Sequence, residues 1–234
     1  MKIEVWSDFA CPFCYIGKAR FEKALAKFEH KDQVTVIYKA YQLNPHAPAV
    51  MEGSAAENFA KSHHLSVLEA EERFARFTEA AKAEGITYRY DIMQMTKTFD
   101  AHRLAKWANK FGLEEELTSR LMKAYFTDGL NIADHETLLF IAKGIGLDPD
   151  VAKAVLSSRQ YANLVLEQQA EARQIGVQGV PFFVLNQKYG VSGAQSEQYF
   201  LQVLEKLWDE EKQSPLKEVA SSNEYCDDDG CHIG

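Results

Sequence analysis

Two cysteines three residues apart stand where a strand pattern gives way to a helix pattern, and that junction constrains this chain more than any other feature. Residues 2–7 (Lys-Ile-Glu-Val-Trp-Ser) read as a short strand, and Cys11-Pro12-Phe13-Cys14 follows it. Residues 12–29 carry Phe21, Ala24, Leu25 and Phe28 at three- and four-residue spacing, the mark of one helix face. Residues 34–41 then place Val34, Val36, Tyr38 and Ala40 on one side at period two, the mark of a strand. Strand, helix and strand in that order predict a βαβ start and a sheet covered by helices, an α/β architecture.

The character changes after Asn44-Pro45-His46-Ala47-Pro48, a turn on proline grounds. From about 55 to 176 almost nothing is strand-like. Ala101, Leu104, Ala105, Ala108 and Phe111 form one helical stripe that ends at Gly112. Leu138, Ile141, Ala142 and Ile145 form another, with Asp134 as N-cap and Gly146 as terminator. A further helix is predicted over 158–175. Residues 180–185 and 189–192 then read as a hairpin around Asn186-Gln187-Lys188, and a last helix spans about 195–212. The polar tail from 213 lacks periodicity and reads as a loosely held extension. The simplest division is one α/β domain in two parts, 1–50 and 177–212, interrupted by a helical domain at 51–176 and followed by the tail at 213–234.

Charge and hydropathy narrow the functional classes. The 234 residues include 26 Lys plus Arg against 34 Asp plus Glu, for a net charge of −8. An acidic chain lacks the basic face that a nucleic-acid binder needs. No apolar run approaches the roughly 18–20 residues of a membrane span. An acid, Glu4, stands where a signal peptide would be apolar. The expectation is a cytoplasmic protein with neither nucleic acid nor membrane as partner; the pattern leaves the oligomeric state open.

In a reducing compartment four cysteines are too few for a disulfide scaffold, which leaves catalysis or metal binding. Cys11, at the start of a helix, is expected to face unpaired backbone N–H groups and the positive end of the helix dipole, both of which favour a thiolate. Pro12 costs no hydrogen bond at the first helical position. Cys14, one turn further on, can reach a mixed disulfide on Cys11, so Cys11 reads as the attacking thiol and Cys14 as the resolving one. A zinc knuckle and an inert pair are the competing readings of the same four residues. Val180-Pro181 opens a predicted strand, and a cis bond there would leave the Val180 backbone open to an extended peptide. A trans proline that merely starts a strand is the plainer alternative. Phe13 is placed at the lip of the site. Asp8 is a candidate proton relay or else a solvated strand end, His102 lines a groove or packs, and His63-His64 read as helix surface.

Cys226 and Cys231 enclose Asp227, Asp228, Asp229 and Gly230. Three carboxylates should raise both thiol pKa values and make these cysteines slow attackers. They read as an accessory pair that exchanges with Cys11 and Cys14. Two incidental thiols, or a zinc site with His232, are the other readings; no metal is assigned.

Three segments together resemble a known family: Ser7-Asp8-Phe9-Ala10-Cys11-Pro12-Phe13-Cys14-Tyr15-Ile16-Gly17, Thr98-Phe99-Asp100-Ala101-His102-Arg103, and Gly176-Val-Gln-Gly-Val-Pro-Phe-Phe183. Over residues 2–210 the chain resembles the DsbA-like thioredoxin-fold oxidoreductases, in particular their cytosolic FrnE-type branch. The resemblance implies a thioredoxin fold with a large inserted helical domain, and a disulfide oxidoreductase or isomerase activity. It matches Cys11 and Cys14 to the redox pair, and Val180 and Pro181 to the cis-proline loop facing it. Substrates would be disulfide- or dithiol-containing peptides and proteins, or low-molecular-weight thiols. Some FrnE-type proteins carry a C-terminal cysteine pair like Cys226 and Cys231. The same superfamily includes 2-hydroxychromene-2-carboxylate isomerases and kappa-class glutathione transferases, where a serine replaces the first cysteine and glutathione is the cofactor. A glutathione-dependent isomerase or transferase is therefore the alternative. No cofactor is expected for the dithiol reading, with glutathione admitted as a redox partner. A thiol-based zinc or chaperone module without turnover is a third class.

Overall fold

The computed structural model describes residues 1–213, 225–227 and 230–232. Strand β1 (Lys2–Ser7) leads through a short turn into α1 (Pro12–Lys27), and the chain returns in β2 (Thr35–Ala40). β1 and β2 pair in parallel, Ile3 opposite Val36 and Val5 opposite Tyr38. Near the other end of the chain, β3 (Phe182–Leu185) joins β1 antiparallel, and β4 (Tyr189–Ser192) joins β3. The sheet order is β2–β1–β3–β4. Asn186 and Gln187 both adopt left-handed backbone, which suits the tight β3–β4 connection.

Strand alternation gives the sheet two different faces. Ile3 and Val5 point to α1 and to α9 (Glu197–Gln213), where Phe21, Phe183, Phe200 and Leu204 complete an apolar core. Trp6 points the other way, onto α8 (Ala162–Gln174), and its indole N–H donates to Gln168 O at 2.9 Å. On that face the buried Glu4 carboxylate pairs with Lys39 of β2 at 3.1 Å.

Between β2 and β3 the backbone is helical: α2 (Ala55–His63), α3 (Val67–Lys82), α4 (Phe99–Ala108), α5 (Glu114–Phe126), α6 (His135–Gly144), α7 (Pro149–Leu156) and α8. Ser54 with Glu57 and Ser66 with Glu69 form reciprocal capping boxes that start α2 and α3. Asp134 caps α6 through Thr137 N–H, as its position in the sequence suggests. α4 departs from the amphipathic expectation, because every residue from Ala101 to Ala108 is buried. Its polar residues carry partners inward: Lys106 donates to Tyr38 O of β2 and pairs with Glu114 at 2.5 Å. Arg103 donates to Val155 O, Ser158 O and Gln160 O at 2.5–2.9 Å. That clamp explains a second departure. The segment 158–161 is held outside the helical ladder and α8 begins at Ala162, not near 158, after Tyr161 in left-handed backbone.

Beyond α9, Tyr225–Asp227 and Gly230–His232 pair antiparallel with Cys226 opposite Cys231. The expectation of a loosely held tail falls mostly on residues outside those described.

Candidate active site

The site forms where β1 ends. Cys11 is the N-cap of α1, in extended backbone, and Pro12 occupies the first helical turn. Cys11 and Cys14 are both buried and both free thiols. The two sulfurs lie against each other. Cys11 stands at the N-terminal end of α1, where the sequence places it, but its side chain makes no capping hydrogen bond to an N–H there. Its thiol instead donates to Val180 O at 3.4 Å, which draws the sulfur across to the loop before β3.

That loop carries a cis Val180–Pro181 bond. It is held from two sides. Pro181 O accepts from Gly193 N–H at 2.8 Å, while Pro181 packs on α1 at Gly17. A Cβ on Gly17 would come 3.0 Å from Pro181 Cγ and 3.4 Å from Ala194, so the close approach requires glycine. Arg20, one turn on, donates to Ala194 O at 2.8 Å and to Glu84 at 2.6 Å, tying α1 to the segment after β4 and to the residues just past α3.

Cys14 is the more deeply placed thiol. Burial, then the adjacent Cys11 sulfur, push its pKa well above the ordinary thiol range. The Asp8 N–H donates to Cys14 Sγ at 3.5 Å, and the Ser7 hydroxyl faces the same sulfur. Asp8 itself is no solvated strand end. It is 2 % exposed, its carboxylate accepts from Leu43 N–H at 2.7 Å, and it lies 3.3 Å from His102 Nε2. His102 thus meets the cysteine turn from 94 residues away in the sequence, buried on α4 with its ring 4.5 Å from that of Phe9.

The helical region surrounds the pair with aromatic groups that sequence reasoning did not single out. The Tyr88 hydroxyl donates to Pro12 O at 2.6 Å, and its pKa is pushed far up by burial. Phe13 is 42 % exposed and packs edge-on against Phe77 of α3, which puts it at the rim. A cleft of about 400 Å³ opens beside Asp8, Ala10 and Pro12, walled by Leu43, Met51, Phe59, Met95 and Tyr125. His63 lines this cleft from the end of α2, whereas His64 caps that helix in left-handed backbone. Among the described residues there is no group of three or more His, Cys, Asp or Glu able to hold a metal ion. For Cys226 and Cys231 only the backbone pairing is described, so the accessory role expected of them concerns side chains outside those described. No helix among the described residues is long and apolar enough to cross a membrane.

Such a constellation, two neighbouring thiols at a strand-to-helix turn with the carbonyl of Val180, the residue before the cis-proline, on the outer sulfur, suits thiol–disulfide exchange. Comparison with known proteins agrees. Residues 2–205 match the DSBA-like thioredoxin domain. A probable DsbA oxidoreductase from Streptomyces coelicolor is 39% identical and superposes with a TM-score of 0.87, covering 100% of this chain and 99% of that one. A 2-hydroxychromene-2-carboxylate isomerase is 16% identical with a TM-score of 0.65, over 91% of this chain and 98% of that one. The cytosolic disulfide reductase DsbM from Pseudomonas aeruginosa is 16% identical with a TM-score of 0.64, over 89% and 99%. The last two likenesses are likenesses of fold. The sheet, its flanking helices and the helical insertion are those of an α/β thioredoxin fold, and the chain belongs to the DSBA-like thioredoxin-domain family, as an enzyme of the disulfide oxidoreductase or isomerase class.

Proposed function

We propose that the enzyme exchanges disulfides through Cys11 and Cys14, with Cys11 making the first bond to substrate and Cys14 resolving it. Cys11 Sγ attacks one sulfur of a substrate disulfide; a Cys11–S bond forms, the substrate S–S bond breaks, and the departing sulfur leaves as a thiolate. Cys14, once deprotonated, attacks Cys11 Sγ, closes the Cys11–Cys14 disulfide and releases the second substrate thiol. The reverse sequence oxidises a substrate dithiol. The observation that carries this reading is the asymmetry of the pair. Burial and the neighbouring sulfur keep Cys14 protonated, while Cys11 lies under the Val180 carbonyl, beside the rim residue Phe13.

Val180 and Phe13 frame the entry for a disulfide- or dithiol-bearing peptide or protein, or for a low-molecular-weight thiol. The cleft beside Pro12 has the apolar lining that a peptide side chain would fill. The enzyme works in the reducing compartment of the cell as a dithiol. Cys226 and Cys231, opposite one another across their hairpin backbone, serve as a slower accessory pair. If Cys226→Ser with Cys231→Ser leaves turnover and the Cys11–Cys14 reduction potential unchanged, that accessory role is excluded.

Cys11→Ser tests the central reading. It abolishes insulin reduction and the refolding of a scrambled disulfide substrate; retained activity would refute the proposal. Saturable glutathione binding, with turnover that survives Cys14→Ser, would point to a glutathione-dependent isomerase or transferase instead.

A further inference from the structure

The resolving step needs Cys14 to lose a proton in a place that water reaches poorly, since the residue is 1 % exposed. Its surroundings offer one way out. β1, β2, α4 and α5 enclose a cavity of about 10 Å³ whose walls include Ser7, His102, Lys106, Glu114 and Thr118. That is roughly the volume at which one water molecule fits. Ser7 belongs to both neighbourhoods: its hydroxyl faces Cys14 Sγ, and the residue lines the cavity.

His102 is set up to receive what arrives there. An ionised carboxylate only accepts, so the 3.3 Å contact with Asp8 Oδ1 places the ring proton on Nε2 and leaves Nδ1 as an acceptor. Asp8 is fixed in turn by Leu43 N–H at 2.7 Å, and its own N–H points at Cys14 Sγ. The charges around the ring come from every side. Asp8 reaches it from the β1–α1 turn, Lys106 from α4 itself and Glu114 from α5, while Lys39 of β2 lines the same cavity. Tyr125 lies beside Asp8 and stays neutral, its pKa raised by burial. Lys106 and Glu114 are bound to each other at 2.5 Å, so Asp8 is the carboxylate left to balance an imidazolium.

We propose that Ser7 and His102 form the route by which Cys14 sheds its proton during resolution, with Asp8 as the positioning residue that orients the His102 ring. The inference deepens the dithiol reading above and rests on it. With substrate held on Cys11, the Cys14 thiol proton passes to Ser7 Oγ, and the Ser7 proton moves through the cavity to His102 Nδ1. The Cys14 thiolate then attacks Cys11 Sγ. The Cys11–Cys14 bond forms, the bond from Cys11 to substrate breaks, and its electron pair leaves on the substrate sulfur, which takes a proton from solvent. The substrate disulfide is thereby reduced by two electrons and the dithiol oxidised, and His102 later returns its proton to solvent.

The test is a single turnover of the reduced full-length protein with glutathione disulfide, quenched in acid and read by peptide mapping. It resolves formation of the Cys11–glutathione adduct from its decay to Cys11–Cys14. His102→Gln is expected to slow the decay about 100-fold at neutral pH, with a far smaller effect on adduct formation, and Ser7→Ala to slow it in the same direction. In the wild type, an internal base predicts a decay that levels off with rising pH. An unchanged decay in both variants overturns the proposal. So does a wild-type decay that climbs about tenfold per pH unit without levelling, because hydroxide would then be the base; that profile decides the matter even if His102→Gln does not fold. Failure of the dithiol reading looks different, since no Cys11 adduct would form at all.

Discussion

The described residues pack into two large cores, with a smaller cluster around Trp6, Ala172 and Val177, and the two large cores treat the cysteines differently. Ile3, Val5, Phe21, Phe183, Phe200 and Leu204 fill the core between the sheet and its outer helices α1 and α9. Cys11 and Cys14 sit at the end of the same strand and the start of the same helix, yet they pack into the other core, with Tyr88, Leu104, Tyr125 and Phe126 of the helical region. The sheet half fixes where the sulfurs stand, through backbone: the end of β1, the first turn of α1 and the Val180–Pro181 loop. The helical half decides what surrounds them, through side chains: Phe77 at the rim, Tyr88 on Pro12 O, His102 on Asp8. Placement and chemistry are thus contributed by different stretches of the sequence.

That division can be broken from either side. The largest stability loss is expected in the sheet core. Phe200 is 1 % exposed and packs on Phe21 and Phe183 with ring centroids 5.5 and 4.7 Å away. Phe200→Ala should cost about 3–5 kcal/mol, measured by urea unfolding, while the thiol chemistry of the molecules that remain folded stays close to wild type. An altered exchange rate per folded molecule would show that the sheet core does more than hold position.

Gly17→Val strikes inside the sheet half, where α1 meets the Val180–Pro181 loop. The added methyl groups meet Pro181 and Ala194, and overpacking of this kind costs about 1–3 kcal/mol. Because the displaced loop carries Val180 O away from Cys11, disulfide exchange should slow as well, a joint loss that Phe200→Ala does not produce. Unfolding together with an insulin-reduction assay separates the two variants.

The smallest effect is a pH slope. The Cys14 pKa is raised in the folded state, so its contribution to stability is complete below the unfolded thiol pKa of about 8.5 and is lost as pH rises toward the folded value. Between about pH 8 and 10 the reduced protein should lose stability with a slope approaching about 1.4 kcal/mol per unit. Cys14→Ser should flatten that slope. Parallel urea titrations of the two proteins check it, and identical slopes would mean that Cys14 is not held as a neutral thiol.

Much of this was readable before any coordinates. The period-two runs in 2–7 and 34–41, the stripe through Phe21 and Phe28, and the hairpin around Asn186 are local signals, and the structure follows them. So were Cys11, Cys14 and the Val180–Pro181 loop, since each sits at a junction between two such patterns. The helix α4 was legible as well, but its burial on every side was not, because its charged residues look like a solvated face while Arg103 and Lys106 find their partners in α7, β2 and α5. The start of α8 was hidden for the same reason, its preceding carbonyls being captured by Arg103. In the site, Asp8 and His102 each admit a bland reading alone, and only the fold brings them within 3.3 Å. Ser54 with Glu57 and Ser66 with Glu69 did spell out two helix starts, a signal available within a stretch that reads otherwise as one undivided helical block.

The most direct test of the account is a trap. Cys14→Ser protein, reduced and then mixed with a disulfide-linked peptide, should accumulate a stable mixed disulfide that mass-spectrometric mapping places on Cys11 in near-stoichiometric yield. An adduct carried elsewhere, or none while the wild-type protein turns the peptide over, would contradict the assignment of Cys11 as the sulfur that takes the first bond.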